Sequence, residues 1–244
     1  MKMFLSDLHS HMLPGVDDGA KSVLQTSSMV KMAYDEGVRR IFFTPHYGIY
    51  NENCCADTLR SVFQEMKEAF LSQFEDLELY LGNEIFYGPE TVSMLQAGKA
   101  LRMADTDYVL IEFHPAEEYS RMEKAVQSLV LAGYRPVIAH AERYQCLRKH
   151  PADAEELIYR GAKIQINSGS LLRGSLDGGF RLVRKLLKDD LIHFIGSDCH
   201  NDGERRPQMK APAEKLRQMV GNAQAERILW ENGERLLRNQ PIEI

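Results

Sequence analysis

The stretch Phe4-Leu5-Ser6-Asp7-Leu8-His9-Ser10-His11 decides the reading of this chain. An apolar run ends in His-x-His. Residues two apart on a strand point to the same side, so both imidazoles converge where the strand stops. Neutral imidazoles aimed at one point are metal ligands by type and geometry. Alone the motif is modest. Its weight comes from the recurrence, along the whole chain, of a strand followed by a ligand.

Short β-branched or aromatic runs predict strands at Phe4–Leu8, Arg40–Thr44, Leu77–Gly82, Tyr108–Phe113, Pro136–Ala139, Lys163–Asn167 and His193–Ser197. Helical patterns lie between them. Leu59, Val62, Phe63, Met66 and Phe70 mark one apolar stripe, and Val126, Leu129 and Val130 mark another that stops at Gly133. The C-terminal end reads as helices around Lys215–Met219, Ala225–Trp230 and Glu231–Leu237. Such alternation predicts a parallel sheet, and seven units predict a small, irregular (β/α) barrel. An open doubly wound sheet is the rival, but no Gly-rich dinucleotide loop is found.

Bulk properties exclude several classes. Of the 244 residues, 44% are hydrophobic and 27% charged, as in ordinary globular proteins. A net charge of -5 without a basic block argues against nucleic acid as the main partner. No apolar run approaches bilayer length, and Asp7 and His9 interrupt any signal-like start. Cys54, Cys55, Cys146 and Cys199 form no disulfide framework, which points to a reducing cytoplasm. With no linker or repeat, residues 1–244 are expected to form one domain.

The predicted strand ends carry the chemistry. They supply His9 and His11, Thr44-Pro45-His46, Gly82-Asn83-Glu84, Glu112, His140-Ala141-Glu142-Arg143 and Ser197-Asp198-Cys199-His200. The sixth ends in Asn167-Ser168-Gly169-Ser170, polar but without a strong ligand. Active sites of such barrels form at the C-terminal ends of the strands. Asp17 and Asp18 can join that rim, although Asp17-Asp18-Gly19 also reads as turn chemistry. His114, His150 and His193 read as ordinary hydrogen-bonding or surface residues. So many carboxylates at one point repel one another unless cations are present. Mixed imidazole and carboxylate donors suit manganese, iron or zinc, and their number exceeds the needs of one ion. Paired metals that generate hydroxide at neutral pH are a recurring device for phosphoester hydrolysis. Arg143, Arg205 and Arg206 are candidates to grip phosphate oxygens.

Together these motifs resemble the polymerase and histidinol phosphatase (PHP) superfamily. The segment Asp7-Leu-His-Ser-His-Met-Leu-Pro-Gly-Val-Asp-Asp-Gly-Ala-Lys-Ser22 is similar to one group in particular. These are the bacterial manganese-dependent tyrosine-protein phosphatases of capsular and extracellular polysaccharide operons. The similarity covers essentially the whole chain. It implies three metal ions, expected to be manganese, in a distorted seven-stranded TIM-like barrel. His9, His11, Glu84 and Asp198 would hold the first ion. Glu84, Glu112 and His140 would hold the second, and Asp18, His46 and His200 the third. Arg143 and Arg205 match the phosphate-binding positions, with Arg206 one residue away as a rival to Arg205. The implied partner is a phosphotyrosine protein, the tail of a membrane-associated tyrosine kinase that controls polysaccharide export. Alternatives are a small-molecule phosphatase acting on histidinol phosphate, or a regulatory binding partner of the polysaccharide machinery.

One competing motif is present. Cys54-Cys55-Ala56-Asp57-Thr58-Leu59-Arg60 fits the C-x5-R spacing of cysteine-dependent tyrosine phosphatases. It has no glycine between Cys and Arg and runs straight into a predicted helix. A phosphate-cradling loop is therefore not expected there.

Overall fold

The computed structural model describes residues 4–48 and 55–243. The strands are β1 (Leu5–Ser10), β2 (Val38–Phe43), β3 (His46–Tyr47), β4 (Glu78–Leu81), β5 (Glu84–Phe86), β6 (Tyr108–Glu112), β7 (Arg135–Ile138), β8 (Lys163–Asn167) and β9 (Phe194–Gly196). The expected strands Arg40–Thr44 and Leu77–Gly82 form as β2 and β4, and each is followed, beyond its expected end, by a short further strand, β3 and β5. Thr44-Pro45 separates β2 from β3, and Gly82-Asn83 separates β4 from β5. Proline has no N–H for a ladder. Gly82 lies so close to Met103 that a Cβ would sit 3.1 Å from its Cα. The breaks change the pairing. β1, β2 and β4 form one parallel sheet, while β3, β5, β6, β7, β8 and β9 form another. Asn83 joins the breaks. Its Nδ2 donates to Pro45 O at 2.8 Å, and its Oδ1 accepts from Leu101 N at 2.8 Å.

The curl closes at its rim. Asp198 N donates to His9 O at 2.8 Å and His11 N to Cys199 O at 2.9 Å. These two bonds tie the end of β9 to the end of β1. The result is a distorted parallel (β/α) barrel of seven strand directions. Alternate residues of β2 divide between two apolar clusters. Ile41 and Phe43 pack in the larger one with the helices, and Phe42 joins Leu8, Leu110, Val137 and Phe194 in a smaller one. Five strands feed that smaller cluster, so it fills the inside of the curled sheet.

The helices are α1 (Val23–Asp35), α2 (Ala56–Leu71), α3 (Thr91–Gln96), α4 (Tyr119–Leu131), α5 (Gln145–Lys149), α6 (Ala152–Tyr159), α7 (Gly178–Lys188), α8 (Lys210–Glu226) and α9 (Asn232–Leu237). In α2 the predicted stripe buries Leu59, Met66 and Phe70, with Val62 and Phe63 packed beside them. α4 buries Met122, Ala125, Val126 and Leu129, and the left-handed Gly133 (φ 88) turns the chain beyond its end. The C-terminal helices form a nearly continuous run through a π-turn at Arg227–Glu231, broken only at Gly221 (φ 81).

Candidate metal centre

Glu84 is the hub of the rim. Its Oε2 lies 3.1 Å from His9 Nε2, 3.2 Å from His11 Nε2 and 3.1 Å from His46 Nδ1. Its Oε1 lies 2.7 Å from His140 Nε2. Asp198 Oδ1 stands 3.7 Å from His9 Nε2 and 3.5 Å from His11 Nε2. Glu112 approaches His46 at 3.2 Å and His140 at 3.6 Å. Asp18 approaches His200 at 3.3 Å and His46 at 3.4 Å. All nine expected ligand residues therefore meet. Eight are largely enclosed, whereas the Asp18 side chain is 60% exposed and marks the mouth.

Three groups of donor atoms each fall within 4.8 Å: His9, His11, Glu84 and Asp198; His11, Asp18, His46 and His200; and His46, Glu84 and Glu112. The first matches an expected set. The second adds His11 to one. In the third, His46 stands where His140 was expected, though His140 also touches both carboxylates.

Hydrogen bonds outside the cluster orient its donors. The Gln165 amide is fixed because Oε1 accepts from His140 N at 2.7 Å while Nε2 donates to Ile166 O at 2.7 Å. Gln165 Oε1 therefore accepts from His9 Nδ1 at 3.3 Å. Asp17 Oδ2 accepts from His11 Nδ1 at 2.7 Å. The carbonyl of Asp198 accepts from His200 Nδ1 at 3.0 Å. Each bond places the ring proton on Nδ1 and leaves the Nε2 lone pair facing inward. His9 Nε2 and His11 Nε2 then face each other across 3.1 Å with carboxylate oxygens beside them. Lone pairs and anions so arranged are a donor set for a divalent cation, and the residues fit one.

Without a cation, protons must compensate these charges. Burial alone would raise the Glu84 carboxyl, but the His9 charge and hydrogen bonds with His11, His140 and His9 hold it well below the carboxylate range. Burial works against charge on His140, yet hydrogen bonds to Glu112 and Glu84 push its pKa up to about 9.

Two arginines crown the centre. Arg143, in the turn after β7, ion-pairs with Asp198 Oδ2. Arg205 Nη2 lies 3.3 Å from Asp198 Oδ1. Both Arg205 and Arg206 are exposed, but Arg206 makes no ion pair among the described residues, so Arg205 is the arginine that faces the cluster.

Sequence reasoning placed Asp17 and Asn167 at the rim without their supporting roles, and missed Gln165. Asp17 does take a turn role, with Oδ1 accepting from Gly19 N at 2.9 Å, but its other oxygen holds His11. Gln165 and Asn167 share one face of β8, and Asn167 Nδ2 donates to Asp198 Oδ2 at 2.7 Å. Polar residues alternating with Ile164 and Ile166 in a buried strand were the available signal. The histidines set aside do lie elsewhere. His114 and His150 are exposed, and buried His193 accepts from Ile164 N through Nδ1 at 3.1 Å. Cys54 lies outside the described residues. Cys55 is the exposed residue preceding α2, and its Sγ lies 3.2 Å from Thr58 Oγ1.

The fold and this rim define a candidate metal centre at the C-terminal ends of the strands of a distorted (β/α) barrel. The family model "Capsular polysaccharide synthesis, CpsB/CapC" matches residues 5–238, and the chain belongs to that family. It is 35% identical over 241 residues to the tyrosine-protein phosphatase YwqE of Bacillus subtilis, covering 97% of this chain and 92% of that one. A solved structure from work on the metal-dependent tyrosine phosphatases YwqE of Bacillus subtilis and CpsB of Streptococcus pneumoniae superposes with a TM-score of 0.87 at 32% identity. That match covers 98% of this chain and 96% of the other. A histidinol phosphate phosphatase of Lactococcus lactis shares the fold, with a TM-score of 0.59 at 14% identity over 88% of this chain and 93% of its own.

Proposed function

We propose that this chain is a metal-dependent protein-tyrosine phosphatase of a capsular or extracellular polysaccharide system. In this reading His9, His11, Asp18, His46, Glu84, Glu112, His140, Asp198 and His200 hold three ions, with Glu84 shared. Manganese is the proposed metal, with iron and zinc as alternatives, and residues 1–244 act as one domain in the cytoplasm. No helix among the described residues is long and apolar enough to cross a membrane. The proposed substrate is a phosphotyrosine protein, the tail of a tyrosine kinase that regulates polysaccharide export. The carrying observation is the convergence of nine donor residues beneath two arginines that both contact Asp198.

The chain's own residues perform the rest. Divalent cations, when bound, lower the pKa of water and neutralise phosphate charge. Arg143 and Arg205 present planar forks that hold phosphate oxygens in a fixed orientation. Gln165 and Asp17 hold His9 and His11 in the ligating tautomer. A tyrosyl leaving group, with a phenol pKa of ~10, departs much more easily than a serine alkoxide and needs no strong general acid.

The test measures kcat/KM on matched phosphotyrosine and phosphoserine peptides and on histidinol phosphate, before and after chelation. The expected result is phosphotyrosine hydrolysis lost on chelation and restored best by manganese. Far faster hydrolysis of histidinol phosphate would transfer the assignment to the small-molecule reading. Full activity after exhaustive chelation would remove the metal mechanism.

A further inference from the structure

The chain is acidic overall, yet α7 is not. Gly178–Lys188 contains no Asp or Glu, and Arg181, Arg184, Lys185 and Lys188 fall at i, i+3, i+4 and i+7. That spacing lines them along one exposed helix face. Lys185 is paired to Asp189 at 2.6 Å, and Arg181 donates to Leu176 O at 3.3 Å. Arg184 and Lys188 make no ion pair among the described residues. The face borders a groove of about 750 Å³ between α7 and α8, with Leu187, Met219 and Val220 in its lining.

The stripe is joined to the metal centre. Arg148 donates through Nε to the carbonyl of Glu142, the residue before Arg143. Gly179, at the start of α7, packs so closely there that a Cβ would lie 3.2 Å from Glu142 O and 3.5 Å from Arg148 Nη2. Cations therefore run from the phosphate-facing Arg143, through Arg148, to Arg181, Arg184 and Lys188.

We propose that the α7 face is a substrate-docking track that holds an acidic segment flanking the phosphotyrosine. The proposal rests on the phosphatase reading and narrows its substrate to phosphotyrosine within acidic sequence. Anionic side chains would lie against Arg184 and Lys188, and the apolar lining would take one aliphatic or aromatic side chain. The unpaired charge on a helix without acids is the complement such a segment requires.

The experiment uses the full chain, metal-loaded. It compares kcat/KM for two phosphotyrosine peptides of equal length, one with five glutamates on one flank and one with five serines, and repeats the pair with the glutamates on the other flank. One flank should favour glutamate roughly tenfold, through KM, as expected for a few exposed charge pairs. That preference should vanish in Arg184→Glu/Lys188→Glu and in 1 M salt, where screening acts within ~3 Å. Hydrolysis of a small aryl phosphate and metal content, measured alongside, show whether the centre is intact. Loss of aryl phosphate hydrolysis by the wild type would strike the phosphatase reading itself. Normal aryl phosphate turnover with no glutamate preference on either flank would overturn the docking track alone. Binding of the wild type to vesicles containing anionic lipid, abolished by the same double variant without change in peptide preference, would overturn it in favour of a membrane surface.

Discussion

Asp17→Asn isolates the part played by the shell around the metal donors. The Asp17 carboxylate makes three contacts: His11 Nδ1 at 2.7 Å, Gly19 N at 2.9 Å and His46 N at 3.1 Å. All three groups donate. Asparagine offers one accepting oxygen and one donating nitrogen. If the oxygen keeps Gly19, the amide nitrogen faces the N–H of His11 and of His46, donor against donors. His11 then loses a charge-assisted bond worth about 1.5–3 kcal/mol. It is also released from the tautomer that aims Nε2 at Glu84. An ordinary shell partner is worth 10- to 100-fold in metal affinity, and about 2 kcal/mol corresponds to some thirtyfold. Manganese affinity of Asp17→Asn should therefore fall between 10- and 100-fold, read by equilibrium dialysis with metal analysis. kcat should recover substantially at saturating manganese, because the inner donors remain. An Asp17→Asn protein that binds manganese as tightly as wild type would refute this, and would leave Asp17 with turn chemistry alone.

Arg143→Lys and Arg205→Lys should each reduce kcat/KM by roughly ten- to a hundredfold at unchanged metal content, because a lysine cannot form the two-pronged phosphate contact; unchanged rates would remove them from phosphate binding. Cys54→Ser and Cys55→Ser should keep near-wild-type turnover while His200→Ala should not, and an inactive, folded, metal-replete Cys54→Ser would restore the cysteine mechanism. pH should act oppositely on the metal-free and metal-loaded protein. The folded-state pKa of His140, about 9 against 6.5, stabilises the metal-free fold fully below pH 6.5, and this is lost as pH rises through 9. Metal binding needs the neutral ring and strengthens over the same range. Melting temperatures from pH 6 to 9, with chelator and with manganese, should diverge, and parallel curves would contradict the assignment.

Much of the site was legible because strand periodicity is local. His-x-His at the end of β1 and the candidate donors closing β6, β7 and β9 follow from side-chain alternation and from the rule that barrel sites form at strand ends. The short strands β3 and β5 that follow two of the expected strands were not legible. Thr44-Pro45 and Gly82-Asn83 were visible as strand ends, but the change of partner across them is a tertiary event fixed by Asn83 reaching Pro45 and Leu101. That exchange pairs His46 with Glu84 in register and so builds the hub. The choice between Arg205 and Arg206 was likewise tertiary, since a loop's direction beyond β9 leaves no periodic mark. Gln165 was overlooked for a different reason: a lone amide in a strand is usually a matter of local satisfaction, and only its contacts to His9 of β1 and to His140 beyond β7 reveal the support it gives.

The cluster's cost to the metal-free fold yields the last prediction. His140 (φ 33) and Asp198 (φ 52) occupy left-handed backbone, which costs L-residues roughly 1–2 kcal/mol each. Backbone hydrogen bonds hold both there, from His140 N to Gln165 Oε1 and from Asp198 N to His9 O. Buried carboxylates and imidazoles also carry a desolvation penalty, which in the metal-free fold is met by protons on the imidazoles paired with Glu84 and Glu112. Replacing such buried ionic clusters by apolar residues is often neutral or stabilising, so cation binding is the proposed reason for the arrangement. Binding to the folded state should then raise stability by about 2.7 kcal/mol per ion at a hundredfold excess over Kd. In a chain of this size, each such ion corresponds to roughly 5–10 °C in melting temperature. Manganese should raise Tm above that of chelated protein by at least this much, and Glu84→Ala, which removes the shared donor, should abolish most of the rise. A chelated protein melting at the same temperature as the manganese-loaded one would mean that the rim is held together by its protons, and the metal assignment would fall with it.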